Sequence, residues 1–533
     1  MKRTIKALCL ILSAVIIAAA IAGCGQKVDD FDNTSTLLVT VYDGGYGTSW
    51  ATEAANKFNA LHTNSKYEIK INAEKLGMSE MTKYVESGMN INRGECAYLI
   101  GIGDPSYLIR NGLLSDLSDV LEMKPDGDNV TVKDKILNFS SWISVMSGSD
   151  GKGCYALPYA DSTMGFVFNY DQFVDRGYLE FADPTDASVL STIKEQGIEY
   201  EVKDGRIYFK SYSGDYKFFN YEEGDVITSC GRDGIYGSYD DGQPDTIEEW
   251  QNMIDTIYYD NVNPFIFSGT YSYSYSISAF QSIFADIAGA ENFETFYSMD
   301  SKGKEVELSD GRKIVITPEN GYEVYKIKGI SEALSFLYEY MNVDTNREKN
   351  YLHPAAYLES GYSHKQAQSS YLYAQATGGT STNPESAILY DGSWWENEAS
   401  PQFSTLANSG YPEYSFGNQD FRPLLYPKYS ASSSKKSLFS TYGNCGMFVP
   451  AKIHNDATEN AARIKCVKEF LAYVLSNDIL KSFTLETGNI QPYKYDIPKS
   501  DFSKMTKYAL SNWAMYSDSE HIEIVRPQKY EFE

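Results

Sequence analysis

Hydrophobic and polar positions predict a parallel sheet near the start of the globular chain. Leu37–Tyr42 is a continuous apolar and β-branched run, typical of a buried strand. A helix is predicted after it, with Thr48 or Ser49 as the N-cap. Its apolar positions recur at helical spacing: Ala51, Ala54, Ala55, Phe58 and Leu61. Tyr67–Ile71 and Ala97–Ile102 read as further strands, so the order is that of a βαβ unit.

Two apolar runs are joined through a proline. Cys154–Leu157 meets Pro158, which cannot donate to a sheet ladder, and Met164–Phe168 follows after a short polar link. So short a link without a hairpin signal is typical of a chain that leaves one sheet and enters another, and equally of an edge strand kinked at its proline. If the chain crosses, Tyr159 and Asp161 lie where two lobes face each other.

Several short runs are predicted to form β-hairpins. Ile198–Phe209 turns at Asp204-Gly205, a dipeptide that favours tight hairpin turns. Val306–Ile327 contains two such signals, Asp310-Gly311 and Asn320-Gly321. These segments therefore predict β insertions in a larger α/β protein.

An acidic segment, Gly231–Asp245, precedes a helix predicted from Thr246. Its carboxylates are close in sequence: Asp233, Asp240, Asp241 and Asp245. They could hold a calcium ion, although the spacing is not that of an EF-hand loop. A solvated turn before the helix is the favoured interpretation.

Three tyrosines alternate with serine before a predicted helix at Ile277–Ala288. If Tyr271, Tyr273 and Tyr275 are extended, their rings share one face and can be presented to a ligand. If the segment is helical, the rings spread over the surface. Tyr271 is the candidate ligand contact of the three.

Length and charge narrow the function classes. The chain has 533 residues, enough for two large lobes, and a formal net charge of −26. Nucleic acid and anionic lipid headgroups are therefore poor partners for the body of the protein, and a neutral or cationic ligand suits it better. The 44 tyrosines and six tryptophans exceed the needs of a core, so part of this aromatic surface is expected in a cleft.

The N-terminus has the pattern of a secretion signal. Three basic residues precede the apolar run Ala7–Ala22, which is short for a membrane span. The run ends in Ile21-Ala22-Gly23-Cys24, which resembles a bacterial lipobox, where the cysteine is diacylated and becomes the first mature residue. Gly25–Thr36 is polar and is predicted to be a flexible tether. A plain signal peptide or an uncleaved anchor is the alternative.

The remaining cysteines and glycines carry no recognisable cofactor motif. Five cysteines lie outside the signal and the lipid site, far apart, odd in number and without a CxxC pair, so neither a zinc site nor a disulfide framework is expected. Gly101-Ile102-Gly103 lacks the third glycine of a dinucleotide fingerprint, and no P-loop occurs. We expect no cofactor and no metal.

The chain resembles extracellular solute-binding lipoproteins of carbohydrate-uptake ABC transporters, akin to maltose-binding proteins. Five segments in matching order carry the resemblance: LLVTVYDGGYGTSWATEAANKFNA, AYLIGIGDPSYLIRNGLLSDLSDVL, GKGCYALPYADSTMGFVFNYDQF, AILYDGSWW and AARIKCVKEFLAYVLSNDILKSFTLETGNIQP. The family implies an α/β, two-lobed, periplasmic-binding-protein-like fold of type II. The lobes are joined by hinge crossings, and the predicted hairpins are insertions in the second lobe.

The resemblance implies a division of the chain. Residues 1–23 are the lipoprotein signal peptide and 24–36 the tether. Residues 37–160 and 441–492 form the first lobe, and residues 161–440 and 493–533 the second. Leu438–Pro450 resembles the second hinge crossing, with Asn444 near the cleft, and Asn489–Tyr495 is expected to cross a third time.

The resemblance also places Trp394, after the Asp391-Gly392 turn, on the family's sugar-stacking tryptophan. A flat indole can bury the apolar face of a pyranose without demanding a hydrogen bond. Because Trp394 and Trp395 would lie on opposite sides of an extended strand, one of them is expected in the core.

Ligands of parallel sheets bind beyond the carboxyl ends of the strands. We call the edge of the sheet at these carboxyl ends the rim. The glycine-rich loop after the first strand and the turn after the third both lie at it. Tyr46, Trp50 and Asp104 are therefore candidate ligand contacts of the first lobe. Asp104 before Pro105 is equally a helix-start pair, so turn chemistry remains its alternative role.

Taken with the resemblance, these residues predict a non-enzymatic binding protein. It would be anchored through Cys24 on the outer face of a bacterial cell membrane, act as a monomer, and deliver an oligosaccharide to ABC permease subunits. A cell-surface glycoside hydrolase needs only a pair of carboxylates and is the main alternative. A glycan-binding lipoprotein without a transport role is another.

Overall fold

The computed structural model describes residues 35–527, except 75–77, 92–93, 103–104, 149–150, 161, 215–217, 219, 344–346, 359–360, 430–435 and 442–443. The predicted lipid site Cys24 and the candidate residues Asp104 and Asp161 lie outside the described residues. The strands are β1 Thr36–Tyr42, β2 Glu68–Glu74, β3 Glu95–Ile102, β4 Leu157–Ala160, β5 Met164–Asn169, β6 Ile198–Lys203, β7 Arg206–Tyr212, β8 Asn263–Ile266, β9 Glu305–Glu307, β10 Lys313–Val315, β11 Ser386–Gly392, β12 Phe421–Leu424, β13 Ser437–Ser440, β14 Asn444–Phe448 and β15 Ile522–Val525.

Helices cover both sheets. The α-helices span Ser49–Leu61, Met78–Ile91, Ser106–Arg110, Ser118–Leu121, Val132–Lys135, Phe139–Met146, Tyr170–Arg176, Ala187–Glu195, Ile247–Tyr259, Ser272–Ala288, Ala290–Ser298, Ile330–Tyr340, Pro354–Leu358, His364–Thr377, Trp395–Glu398, Ser400–Asn408, Ala457–Val474, Asn477–Thr487 and Lys507–Ser517. Short 3-10 helices span Pro318–Lys326, Pro412–Tyr414 and Lys499–Lys504.

The first sheet has five strands in the order β2-β1-β3-β14-β4. β1 is parallel to β2 and β3, with Leu37 opposite Ile69. β14 runs antiparallel to β3, with Asn444 opposite Ile102. The predicted βαβ unit is confirmed, and its apolar faces form a core with the helices Ser49–Leu61 and Ala457–Val474.

The second sheet has four strands in the order β12-β5-β11-β8. β11 pairs antiparallel with β5, with Gly392 opposite Met164, and parallel with β8. A separate and larger hydrophobic core surrounds this sheet. In the part of the chain that the structure describes, the two larger sheets are mixed and each has its own core, which confirms the α/β class.

The chain passes between the two sheets where the sequence predicts. β4 lies at the edge of the first sheet, a position that tolerates the missing N–H of Pro158, and β5 is an inner strand of the second. β13 packs Leu438 and Phe439 into the second core, and β14 then enters the first sheet. Near Asn489–Tyr495, the Leu137 N–H donates to the Pro492 carbonyl at 2.9 Å, which ties this segment to the first lobe.

Two of the three predicted hairpins are confirmed. β6 and β7 turn at Asp204 and Gly205, both with positive φ, and β9 pairs with β10. The third prediction is wrong, because Asn320-Gly321 lies within the 3-10 helix Pro318–Lys326. The Asn320 side chain accepts from the Thr317 N–H at 2.6 Å and caps this helix, which uses the residue that the hairpin would need for its turn.

The acidic segment before Thr246 holds two of its four carboxylates, Asp240 and Asp241, in the interior, so the favoured solvated interpretation is wrong for these two. The Asp245 side chain is 51% exposed. Asp240 is 1% exposed and accepts the N–H groups of Arg232 and Asp233, while Asp241 accepts those of Gly237 and Ser238. Burial, followed by the charge of Asp233, raises the pKa of Asp240 to about 8. The carboxylates satisfy the backbone of their own loop, and no group of three potential ligands in the described chain is placed to hold a metal ion.

Among the described residues, no helix is both long enough and apolar enough to cross a bilayer.

Candidate ligand-binding site

The site forms where the rims of the two sheets meet. β1 ends at Tyr42 and its loop carries Gly45 and Tyr46. β11 ends at Gly392, and the turn after it carries Trp394. Trp394 is partly buried and packs against the cores of both lobes. Its ring lies 6.2 Å from that of Tyr46, at an interplanar angle of 56°.

Polar groups join the lobes beside this aromatic contact. The Asn397 side-chain amide donates to the carbonyls of Gly45 at 3.0 Å and Tyr46 at 3.1 Å. The Ser393 hydroxyl donates to the Asn489 side chain at 3.0 Å, at the third crossing. The structure therefore shows the two lobes in contact.

The first-lobe candidates form one aromatic cluster behind the rim. Tyr46 and Trp50 have ring centroids 6.2 and 6.0 Å from Tyr159, and Trp50 lies 5.0 Å from Phe483. Trp50 and Tyr159 are fully buried in the core of the first lobe. Tyr46 is the member of this cluster that meets Trp394, so the structure brings four predicted residues together.

The two adjacent tryptophans have different surroundings. The strand ends at Gly392, and Trp394 precedes the short helix Trp395–Glu398, so the prediction of an extended strand through both is wrong. Trp395 is 0% exposed and packs between Phe421 and Tyr508 in the second core. Of the two indoles, Trp394 lies at the interface between the lobes and Trp395 fills the core.

The tyrosine-serine segment is helical. The prediction that its three tyrosine rings share one face of an extended chain is therefore wrong, and the helical alternative is confirmed. Tyr271 precedes the helix Ser272–Ala288 and is 45% exposed, whereas Tyr275 is buried. The Tyr271 ring lies 5.6 Å from His364 and 6.4 Å from Tyr275. Tyr271 therefore borders a polar network that continues to the rim.

This network links two carboxylates through one amide. Gln368 Nε2 donates to Asp391 at 3.0 Å and to Glu398 at 2.8 Å. His364 Nε2 lies 3.2 Å from Glu398, and the Tyr275 hydroxyl donates to Asp391 at 3.2 Å. The groups come from three separate helices and from the end of β11.

Their environments move the two carboxyl pKa values apart. Burial, followed by the charge of Glu398, raises the pKa of Asp391 to about 7. Burial also acts to raise the pKa of Glu398, but the hydrogen bond and charge of His364 outweigh it and lower that pKa. Glu398 therefore stays charged beside the rim, where it can accept a hydroxyl.

Comparisons with known proteins bear on the fold. A scan of protein-family models finds no match, and neither does a search of curated proteins. Among solved structures, a chitin oligosaccharide binding protein matches with a TM-score of 0.51 and 14% identity, over 93% of this chain and 89% of that one. A probable secreted solute-binding lipoprotein from Streptomyces coelicolor matches with a TM-score of 0.52 and 12% identity, over 93% and 90%.

The chain has the fold of solute-binding proteins. The match extends over nearly the whole chain, which agrees with the two sheets and the crossings between them. At this level of identity the comparison establishes the architecture, and the ligand has to be argued from the residues at the interface.

Within this solute-binding fold, several residues of the interface carry no local sequence signal. Asn397, His364, Gln368 and Glu398 are far apart in sequence from the first-lobe loop and belong to no motif. Their association depends on how helices pack at the end of β11, which periodicity does not reveal. Asn444 begins β14 opposite Ile102, which places its backbone near the rim, and its side chain lies outside the described part.

Proposed function

We propose that the protein is the substrate-binding component of an ABC importer for a neutral oligosaccharide. It would capture the sugar between its lobes and deliver it unchanged to membrane permease subunits. The observation that carries the proposal is the position of Trp394, partly buried where the two lobes meet, in a chain with a solute-binding fold.

The rings at the interface suit the apolar face of a pyranose. An indole that covers about 80 Å² of sugar surface contributes about 2 kcal/mol at 25 cal/mol per Å². Polar groups beside it supply the hydroxyl partners, namely Glu398, His364 and the amide of Asn397. A net charge of −26 disfavours anionic glycans, so an uncharged oligosaccharide fits best.

Capture would work by hinge closure. A ligand that touches both lobes stabilises the arrangement in which they are close, because those contacts are lost when the lobes separate. Asn397 and Trp394 already contact the Gly45–Tyr46 loop, so they are placed to sense a sugar inserted between the lobes.

The chain division belongs to the same proposal. Residues 37–160 and 441–492 form the first lobe, and residues 161–440 and 493–533 the second. Cys24 would carry the lipid that holds the protein at the outer face of the membrane, and the residues between Cys24 and β1 would be the tether. The predicted end of the tether at residue 36 is too late, because Thr36 already pairs with Glu68 in the first sheet.

The test is calorimetric titration against a panel of neutral oligosaccharides. For a bound glycan, Trp394→Ala should weaken affinity by about 2 kcal/mol, or roughly thirtyfold. The matched control is Tyr322→Ala, which removes an aromatic ring that is 65% exposed elsewhere in the second lobe. Unchanged affinity in Trp394→Ala would remove this residue from the site, and the absence of any bound glycan would refute the proposed function.

A further inference from the structure

A cavity of about 500 Å³ lies at the third crossing between the lobes. The crossing itself forms one wall, from Ile490 to Asp496. Trp513 and Tyr516 of the C-terminal helix form another, and Leu137 of the first lobe closes a side. The lining contains neither Tyr46 nor Trp394, so the cavity is separate from the site described above.

The walls of this cavity belong to both lobes. Lys494 N–H donates to the Lys135 carbonyl at 2.7 Å, which fixes the crossing to the first lobe. Ile522, also in the lining, packs in the core of the second lobe. The Tyr516 hydroxyl lies 2.6 Å from that of Thr163, at the first crossing. A molecule held here would touch parts of the chain that separate when the lobes move apart.

Two buried polar atoms in the lining residues lack a partner within the described chain. They are the indole Nε1 of Trp513 and the amide Oε1 of Gln491, and both residues are more than nine-tenths buried. A buried donor or acceptor without a hydrogen bond costs about 1–3 kcal/mol. Both atoms are themselves buried, so a ligand that carries hydroxyl groups reaches this donor and this acceptor only when the two side chains rotate toward the cavity.

The rest of the lining combines aromatic, aliphatic and polar residues, and its charges balance. The rings of Tyr495 and Trp513 lie 5.2 Å apart at 49°, with Trp513 4% exposed. Lys494 and Asp496 in the lining carry opposite charges. Lys436 and Glu523 at the rim are 3.5 Å apart and offset each other's charge. Aromatic residues beside the polar side chains of Asn138, Ser517 and Ser519 match a small neutral molecule that has an apolar face and hydroxyl groups.

We propose that this cavity is a second sugar site, which takes one ring of a neutral mono- or disaccharide. Its occupation stabilises the arrangement of the lobes seen here, because both lobes contribute to its walls. The proposal is independent of whether Trp394 stacks on a transported glycan.

Fluorine NMR of the whole protein labelled with fluorotryptophan tests it. The six tryptophans give one resonance each. The resonance that disappears in Trp513→Phe is that of Trp513, and the one that disappears in Trp394→Phe is that of Trp394. The titrants are glucose, galactose, xylose and N-acetylglucosamine. At least one should shift the Trp513 resonance saturably, and Gln491→Ala should weaken that response about tenfold. Trp142, buried in the first lobe with its Nε1 bonded to the Ala156 carbonyl at 3.0 Å, is the internal control and should not move.

The outcomes separate the two proposals. If none of the four sugars shifts the Trp513 resonance of the unaltered protein, the second site is overturned, even when the variants do not fold. A shift confined to Trp394 also overturns it, and supports binding between the rims instead. A Trp513 response without any effect at Trp394 supports the second site even if the proposed transport function fails.

Discussion

Gly45→Ala should separate the lobes, and Gly47→Ala should not. Gly45 has φ of +88°, and a Cβ there would lie 2.7 Å from Trp394 Cδ1 and 3.4 Å from Glu398 Cβ. Gly47 also has positive φ, at +74°, but a Cβ there would come no closer than 3.8 Å to the Asn397 side chain. Both changes therefore add a similar backbone strain of about 1–2 kcal/mol, and only the first adds a clash between the lobes.

Relief of that clash moves the Gly45–Tyr46 loop away from the second lobe. The two hydrogen bonds from Asn397 are then lost, at about 1 kcal/mol each, together with the contact between Tyr46 and Trp394, at about 0.5–1.5 kcal/mol. Contact between the lobes is thus disfavoured by about 2.5–3.5 kcal/mol, or roughly 70- to 370-fold.

Small-angle X-ray scattering of the ligand-free variants measures this change. Gly45→Ala should increase the radius of gyration, whereas Gly47→Ala should match the unaltered protein. Thermal unfolding of the two variants checks that they lose similar stability from their backbone strain. Equal radii of gyration for all three proteins would refute the argument that Gly45 lets the lobes approach.

Two further predictions concern pH. In the folded protein the pKa of Asp240 is raised to about 8, whereas its unfolded value is about 3.9. Between these two values the native state binds a proton that the unfolded state has lost, so the free energy of unfolding falls as pH rises. Asp240→Asn should therefore flatten the decline of the melting temperature from about pH 5 to about pH 8, and an unchanged slope would contradict this. Burial acts to lower the pKa of His364, but the hydrogen bond and charge of Glu398 outweigh burial and raise this pKa. The pairing of His364 with Glu398 therefore stabilises the fold fully below the unfolded pKa of about 6.5. This stabilisation is lost as pH rises through the raised pKa of the folded state. His364→Gln should lower the melting temperature more at about pH 5.5 than at about pH 8.5, and equal losses at both would count against the pairing.

Local sequence patterns were sufficient to predict the βαβ unit, the first crossing between the sheets and the helix that follows the acidic segment. The βαβ unit follows from strand and helix periodicity, and the passage of the chain at Pro158 follows from two apolar runs joined by a short link without a hairpin signal. The helix predicted from Thr246 is confirmed as Ile247–Tyr259, and Thr246 caps it through a reciprocal bond pattern with Glu249. Each of these features depends on residues that are near one another in the chain.

The predictions of the third hairpin, of the solvated acidic turn and of the extended tryptophan pair were wrong because the same residues can adopt two local structures. Asn320 can support a tight turn or cap a helix, and the bond to Thr317 selects the cap. Asp240 and Asp241 are typical of solvated turns, yet they bond to their own backbone inside the second lobe. Trp394 and Trp395 occupy different environments because β11 ends before them, and strand ends are poorly marked by composition.

Native mass spectrometry of the protein with a neutral oligosaccharide from the panel shows whether the interface between the lobes captures an intact sugar. We expect a complex whose mass equals that of the protein plus one intact oligosaccharide, with the free glycan unchanged after prolonged incubation. Shortened glycan products would indicate a hydrolase, and the absence of any bound glycan would show that the interface between the lobes does not capture sugar.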